Sequence, residues 1–140
     1  MIVLDTNVVS ELMRPTPAPM VEAWVRTHSS DELYTTAITV AEIGYGIERL
    51  PDGARKTLLA TTAQQLFSAF ADHVLPFDNS AADVYGAVVA GRDRVGAPTG
   101  GFDAQIASIC RAHAATLATR NGNDFSHTGI EVLDPWQSDH

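Results

Sequence analysis

Apolar residues recur along this chain in two alternating rhythms. Short runs that are mostly apolar or β-branched occur at residues 2–5, 33–38, 74–77, 116–119 and 130–133. Each is too short for a helix and rich in branched or aromatic side chains, which predicts buried strands. Pro76 lacks a donor for a strand ladder, so its strand belongs at a sheet edge. Between the runs, apolar positions fall at helical spacing. Helices are predicted over 7–13 and, from the spacing of Met20, Val21, Trp24 and Val25, to about His28. Further helices run from a Thr39 cap to Leu50, from the Pro51-Asp52-Gly53 turn to about residue 71, from an Asn79 or Ser80 cap to about Val95, and over 102–114. Pro15 and Pro17 stop the first helix. Residues 96–101 read as a Gly/Pro/Thr loop, and Asn121-Gly122 as a turn. Strands alternating with helices predict an α/β chain with a mostly parallel sheet covered on both faces. No repeat, low-complexity stretch or long linker divides it, so residues 1–136 form one domain and 137–140 a polar tail.

Composition narrows the picture. The chain has 140 residues, 45% of them hydrophobic, enough for one well-filled core and too apolar for disorder. Cys110 is alone and cannot form an internal disulfide, which fits a reducing compartment. No basic leader precedes the first apolar run, and no segment approaches the ~20 apolar residues that span a bilayer. A soluble cytoplasmic protein with no membrane association is expected. The formal charge of −8 argues against gripping nucleic acid by charge alone, but permits a nucleic-acid enzyme whose acids hold cations. Arg26, Arg49, Arg55, Lys56, Arg92 and Arg94 can line an RNA groove, although scattered cations more often form a solvated surface.

Four acids stand where core gives way to loop: Asp5, Glu42, Asp103 and Asp124. Asp5 ends the first apolar run, at the strand end where ligands bind in open α/β sheets. Each also has a structural reading. Asp5, Thr6 or Asn7 can cap the helix that follows. Thr39-Val40-Ala41-Glu42 has the form of a capping box, with Glu42 reaching back to the Thr39 amide. Asp103 shares a stripe with Ile106, Ala107 and Cys110, where a carboxylate needs a partner, although the helix N-terminus also favours it. Asp124 follows an Asn-Gly turn and can be a solvated turn residue. Asp83 completes a cap-like Ser80–Asp83 pattern, and Asp52, Asp72, Asp78 and Asp93 read as caps or surface charge.

Other chemistries fail on inventory. The five histidines lack paired-ligand spacing, and no phosphate-cradling glycine loop or nucleophile elbow is present. Converging carboxylates must bind protons, pair with bases or hold metal. Hard oxygen ligands favour Mg²⁺ or Mn²⁺, which activate water and offset phosphoryl charge. Phosphodiester hydrolysis is the chemistry such a set serves.

Four blocks in order carry a resemblance: Val3–Asn7, Thr39–Gly46, Asp103–Ala107 and Thr119–Phe125. Together they resemble the PIN-domain ribonucleases, most closely the toxins of type II toxin–antitoxin modules in the VapC and FitB style. Ser10–Pro15, Leu75–Asp78 and Pro135-Trp136 fit the FitB-like subgroup. The resemblance implies a three-layer α/β/α domain with a parallel sheet of order 3-2-1-4-5, and Mg²⁺- or Mn²⁺-dependent cleavage of RNA. By motif position it implies Asp5, Glu42 and Asp103 as metal ligands, with Asp124 as the fourth catalytic acid. Thr6, Thr119 and Asn121 are implied as supporting residues. A homodimer is implied, assembling into a heterotetramer or larger with a small antitoxin that inserts a basic residue among the acids. One stretch departs from the family pattern: Ala97–Phe102 carries two glycines where relatives more often have a branched apolar and a small polar residue, leaving the placement of Asp103 open.

Rivals are weaker. A phosphotransfer receiver needs a lysine near the last strand, and Lys56 is the sole lysine. A phosphatase with an aspartyl nucleophile needs a second acid where Asn7 stands. A catalytically weak RNA-binding or regulatory module of the same fold has little reason to keep all four acids.

Overall fold

The structure is a computed structural model that describes residues 1–137; all but Gln137 of the expected polar tail lies outside the described residues. Its five strands are β1 (Ile2–Leu4), β2 (Leu33–Thr36), β3 (Val74–Leu75), β4 (Thr116–Ala118) and β5 (Glu131–Leu133). They form one parallel sheet in the order 3-2-1-4-5. β1 is central, with Val3 opposite Tyr34 on one side and Leu117 on the other. Since every strand points the same way, all carboxyl ends meet along one edge.

Six helices cover the sheet: α1 (Thr6–Leu12), α2 (Pro19–Arg26), α3 (Ala37–Glu48), α4 (Ala54–Phe70), α5 (Asn79–Arg94) and α6 (Gly101–Ala112). Successive strand side chains point to opposite faces, and β1 divides the core accordingly. Val3 packs with Val88, Ile106, Ile109, Leu117 and Phe125 on the α5/α6 face. Leu4 packs with Val8, Val9, Val21, Trp24 and Ile43 on the α1–α4 face. Each such fully buried aliphatic side chain stabilises the fold by about 1.5–3 kcal/mol. Among the described residues, no helix is long and apolar enough to cross a membrane.

The element order follows the sequence expectation; several boundaries and caps do not. β2 ends at Thr36 rather than residue 38, and Thr36 caps α3, its Oγ1 accepting from the Thr39 amide at 3.1 Å. Thr39 is therefore already helical, and the Thr39–Glu42 capping box does not form. Asp78, not Asn79 or Ser80, caps α5 by accepting from the Ala81 amide, so Ser80–Asp83 is no cap either. In both cases a polar residue just upstream, still in extended conformation, reached the orphan amide first. The Asn121-Gly122 turn is the start of a 3-10 turn over Gly122–Phe125.

Candidate active site

Asp5 leaves β1 and enters α1 as its N-cap, so the structural reading of this residue holds. Capping does not use up the carboxylate. Oδ1 accepts from the Thr6 amide at 2.8 Å, and Oδ2 accepts from the Thr119 hydroxyl at 2.7 Å. Thr119 sits just beyond β4, so the bond ties the first strand's end to its neighbour's. Asn7 reinforces the tie: its Nδ2 donates to Thr119 Oγ1 at 3.2 Å, and its Oδ1 accepts from the Arg120 amide at 3.2 Å. Asp5 is only 6% exposed. Burial raises its pKa above the ordinary value, and the charges of Glu42 and Asp124 raise it further against the lowering effect of Thr119 and Thr6.

Glu42 stands six residues into α3 from the Thr36 cap, too far to serve that helix's N-terminus. Its Oε1 instead accepts from the Thr6 hydroxyl at 2.8 Å. Behind Thr6 a line of hydroxyls runs through Thr39 at 3.1 Å to Thr36 at 3.4 Å, both buried at the β2–α3 junction. With Thr6 donating to Glu42 and Thr36 donating to Thr39, the middle hydroxyl donates to Thr6. The line is thus oriented toward the carboxylate. Tyr45, one turn further along α3, is exposed.

Asp103 is the third residue of α6, which begins at Gly101 in a left-handed conformation (φ +56°) behind an uncapped Gly100. Of the two departing glycines, Gly101 therefore has a use: its left-handed start is one that side chains rarely adopt, whereas Gly100 is extended. Asp103 is half-buried, and among the described residues its carboxylate accepts no hydrogen bond. Burial raises its pKa, with Asp5 and Asp124 adding to the rise and Arg92 opposing it. Asp124 is exposed on the 3-10 turn after β4.

Arg92 is the residue sequence reasoning misplaced. Grouped by sequence with the scattered surface cations, it is 7% exposed on α5. Its Nη1 donates to Asn123 O, Ser126 O and Ser126 Oγ, each at 3.0 Å, clamping the turn that carries Asp124. The available signal was its spacing from Ala81 and Val88, which puts it on the buried stripe of α5. Asn121 reaches Thr119 through its backbone, the amide donating to Thr119 Oγ1 at 3.1 Å.

The four acids thus arrive from four elements at the carboxyl edge of the sheet. Asp5 feels Glu42 and Asp124, and Asp103 feels Asp5 and Asp124. Among the described residues, no three acid, histidine or cysteine side chains already stand as a metal-ligand group. The donor set nonetheless fits a hard divalent cation: all oxygen, strongly negative and opposed by one buried guanidinium. Mg²⁺ keeps several waters and needs only one or two direct carboxylates, so an open arrangement of like charges suits it.

Residues 2–131 match the family model described as "PIN domain". The chain is 38% identical to "VapC ribonuclease Y4jK" of Sinorhizobium fredii, over 98% of this chain and 99% of that one. It is 36% identical to "Toxin FitB" of Neisseria gonorrhoeae, over 97% and 99% respectively. Among solved structures it superposes on a chain of "Structure of FitAB bound to IR36 DNA fragment" with a TM-score of 0.93 and 35% identity, covering 100% of this chain and 99% of that one. A "VapBC from Salmonella typhimurium" complex bound to DNA, at 24% identity and a TM-score of 0.82 over 96% of this chain and 97% of that one, shares the fold. With fold, sheet order and full-length similarity in agreement, this chain belongs to the PIN-domain family, alongside the VapC and FitB toxins.

Proposed function

We propose that this protein is a metal-dependent endoribonuclease that acts as the toxin of a type II toxin–antitoxin module. The observation that carries the reading is the meeting of Asp5, Asp103 and Asp124: burial and mutual charge push Asp5 and Asp103 above their ordinary pKa values. A fold that served stability alone has no use for such a conflict. Asp5, Glu42, Asp103 and Asp124 are the residues that hold the cation. When bound, Mg²⁺ or Mn²⁺ lowers the pKa of water and offsets charge on a phosphoryl oxygen. Thr119 and Thr6 fix the carboxylates of Asp5 and Glu42 by direct hydrogen bonds, limiting their rotation. Arg92 holds the Asp124 turn against α5. With all four in place, the site can receive an RNA backbone although the whole chain is acidic.

The relatives named as toxins and the neighbouring toxin–antitoxin complexes support a small inhibitory partner. An antitoxin that inserts an arginine or lysine among the four acids would satisfy the charge by hydrogen-bonded pairing, as a metal does. A homodimer, joined by antitoxin into a heterotetramer or larger assembly in the cytoplasm, is the proposed working form.

Incubation of the purified protein with RNA tests the activity, with and without chelator and beside Asp5→Asn and Asp103→Asn. Cleavage should require Mg²⁺ or Mn²⁺ and be lost in both variants while their folds persist. Cleavage that survives chelation, or survives either substitution, refutes the reading.

A further inference from the structure

Beyond the acids, along the same sheet edge, lies a second polar cleft of about 540 Å³ over the ends of β4 and β5. Pockets of this size accept drug- or nucleotide-sized groups. It begins at Thr119 and Asp124 and is therefore continuous with the acid cluster. Val132, 42% exposed, gives it an apolar surface. Arg120 lines it with an exposed side chain whose guanidinium carbon lies 4.7 Å from the centre of the Trp136 ring. Asn121 and Asn123 add amides, which can both donate and accept.

The charges select the occupant. Asp124 and Asp134 both border the cleft, against the single cation Arg120. Asp134 is held there by accepting from the Trp136 amide at 2.8 Å and from Gln137 Nε2 at 3.3 Å. Two carboxylates repel a phosphate. They do not repel a neutral, flat group with polar edges. A guanidinium plane backed by an indole is a surface on which an unpaired base stacks, and asparagine amides read base edges. The loop is also rigidly tied to the acids: the Arg120 amide donates to Asn7 and the Asn121 amide to Thr119, which bonds Asp5.

We infer that this cleft is a nucleobase subsite, in which the base beside the scissile phosphate stacks on the Arg120 guanidinium supported by Trp136. This rests on the ribonuclease reading for its meaning, but binding can be measured apart from cleavage. The subsite makes Arg120 a specificity-determining residue rather than a phosphate anchor.

The test uses the full chain in chelator, where the proposed cleavage cannot proceed. Fluorescence anisotropy compares labelled hexamers of adenylate and uridylate with an abasic hexamer of equal charge, for wild type, Arg120→Ala and Arg120→Lys. Lysine keeps the charge and loses the plane. Stacking is worth roughly five- to 150-fold per base, so a base-bearing hexamer should outbind the abasic one by a factor in that range. Both variants should largely erase the difference, with melting temperatures unchanged. Equal binding of the abasic hexamer, wild-type discrimination in Arg120→Lys, or no hexamer binding up to millimolar RNA each overturns the subsite. Base discrimination that depends on Arg120 in a protein without nuclease activity supports the subsite and removes only the nuclease reading. Metal-dependent cleavage with unchanged base preference in both variants does the reverse.

Discussion

Asp103 accepts no hydrogen bond among the described residues and faces two other carboxylates, so its ionised form has little to stabilise it without a cation. Its pKa is raised on folding, which sets the sign of a pH effect. Below the ordinary value of 3.8 both folded and unfolded states hold the proton and nothing is lost. As pH rises through the raised folded pKa, the metal-free fold loses stability relative to a chain with an uncharged residue there. Asp103→Asn should therefore leave the metal-free protein at neutral pH as stable as wild type or more so, and should remove the fall in stability with rising pH that Asp103 contributes. Added Mg²⁺ should stabilise wild type by about 2.7 kcal/mol at a hundredfold excess over Kd, and the variant much less. Thermal melts across pH, with chelator and with Mg²⁺, decide this. Equal destabilisation of the variant in both conditions would mean that Asp103 is a structural acid. Asp5 is a less clean probe because it also caps α1.

At the scale of elements, the junction from β2 into α3 places Glu42, and it was only partly legible. Thr36 and Thr39 lie three apart, and either can cap a helix by pattern. The choice was made by the extended backbone at Thr36 and by the burial of both hydroxyls, which are tertiary facts. The consequence is separable: Thr36→Ala should cost about 0.5–2 kcal/mol of stability as a lost cap. Glu42→Gln should cost little stability while abolishing metal-dependent activity. Urea melts beside RNA cleavage assays test both; a large stability loss in Glu42→Gln would restore a structural role. The α5 clamp behaves differently. Arg92→Met should leave the carbonyls of Asn123 and Ser126 without their donor, costing about 1–3 kcal/mol. It should also remove the cation that opposes the rise at Asp103, making the pH dependence of the metal-free protein steeper.

For the whole molecule, sheet order and layers followed from strand–helix alternation together with the family resemblance, because a buried parallel sheet writes itself as short apolar runs. Asp5 was legible for the same reason: it is where such a run stops. Arg120 beside Trp136 was not, since nothing local joins residues that meet only after β4 and β5 pair. Charge also acts at this scale. At −8, the metal-free protein repels RNA, so its association rate with a hexamer in chelator should rise with added salt as the repulsion is screened. A basic RNA binder slows instead. Stopped-flow association from low to physiological salt gives the sign, and a falling rate would mean that a cationic face dominates the encounter.

The hydrogen bond from Thr119 to Asp5 joins positions 114 residues apart. A ribosome adding ~5–20 residues per second needs roughly 6–23 s to synthesise the chain between them. Throughout that interval the first acid exists without the hydroxyl that orients it and without Asp103 or Asp124 in place. A chain with the proposed activity is thus inert while most of it is being translated, and becomes able to cut RNA only as its final strands dock. Any inhibitor made alongside it has those seconds in which to accumulate.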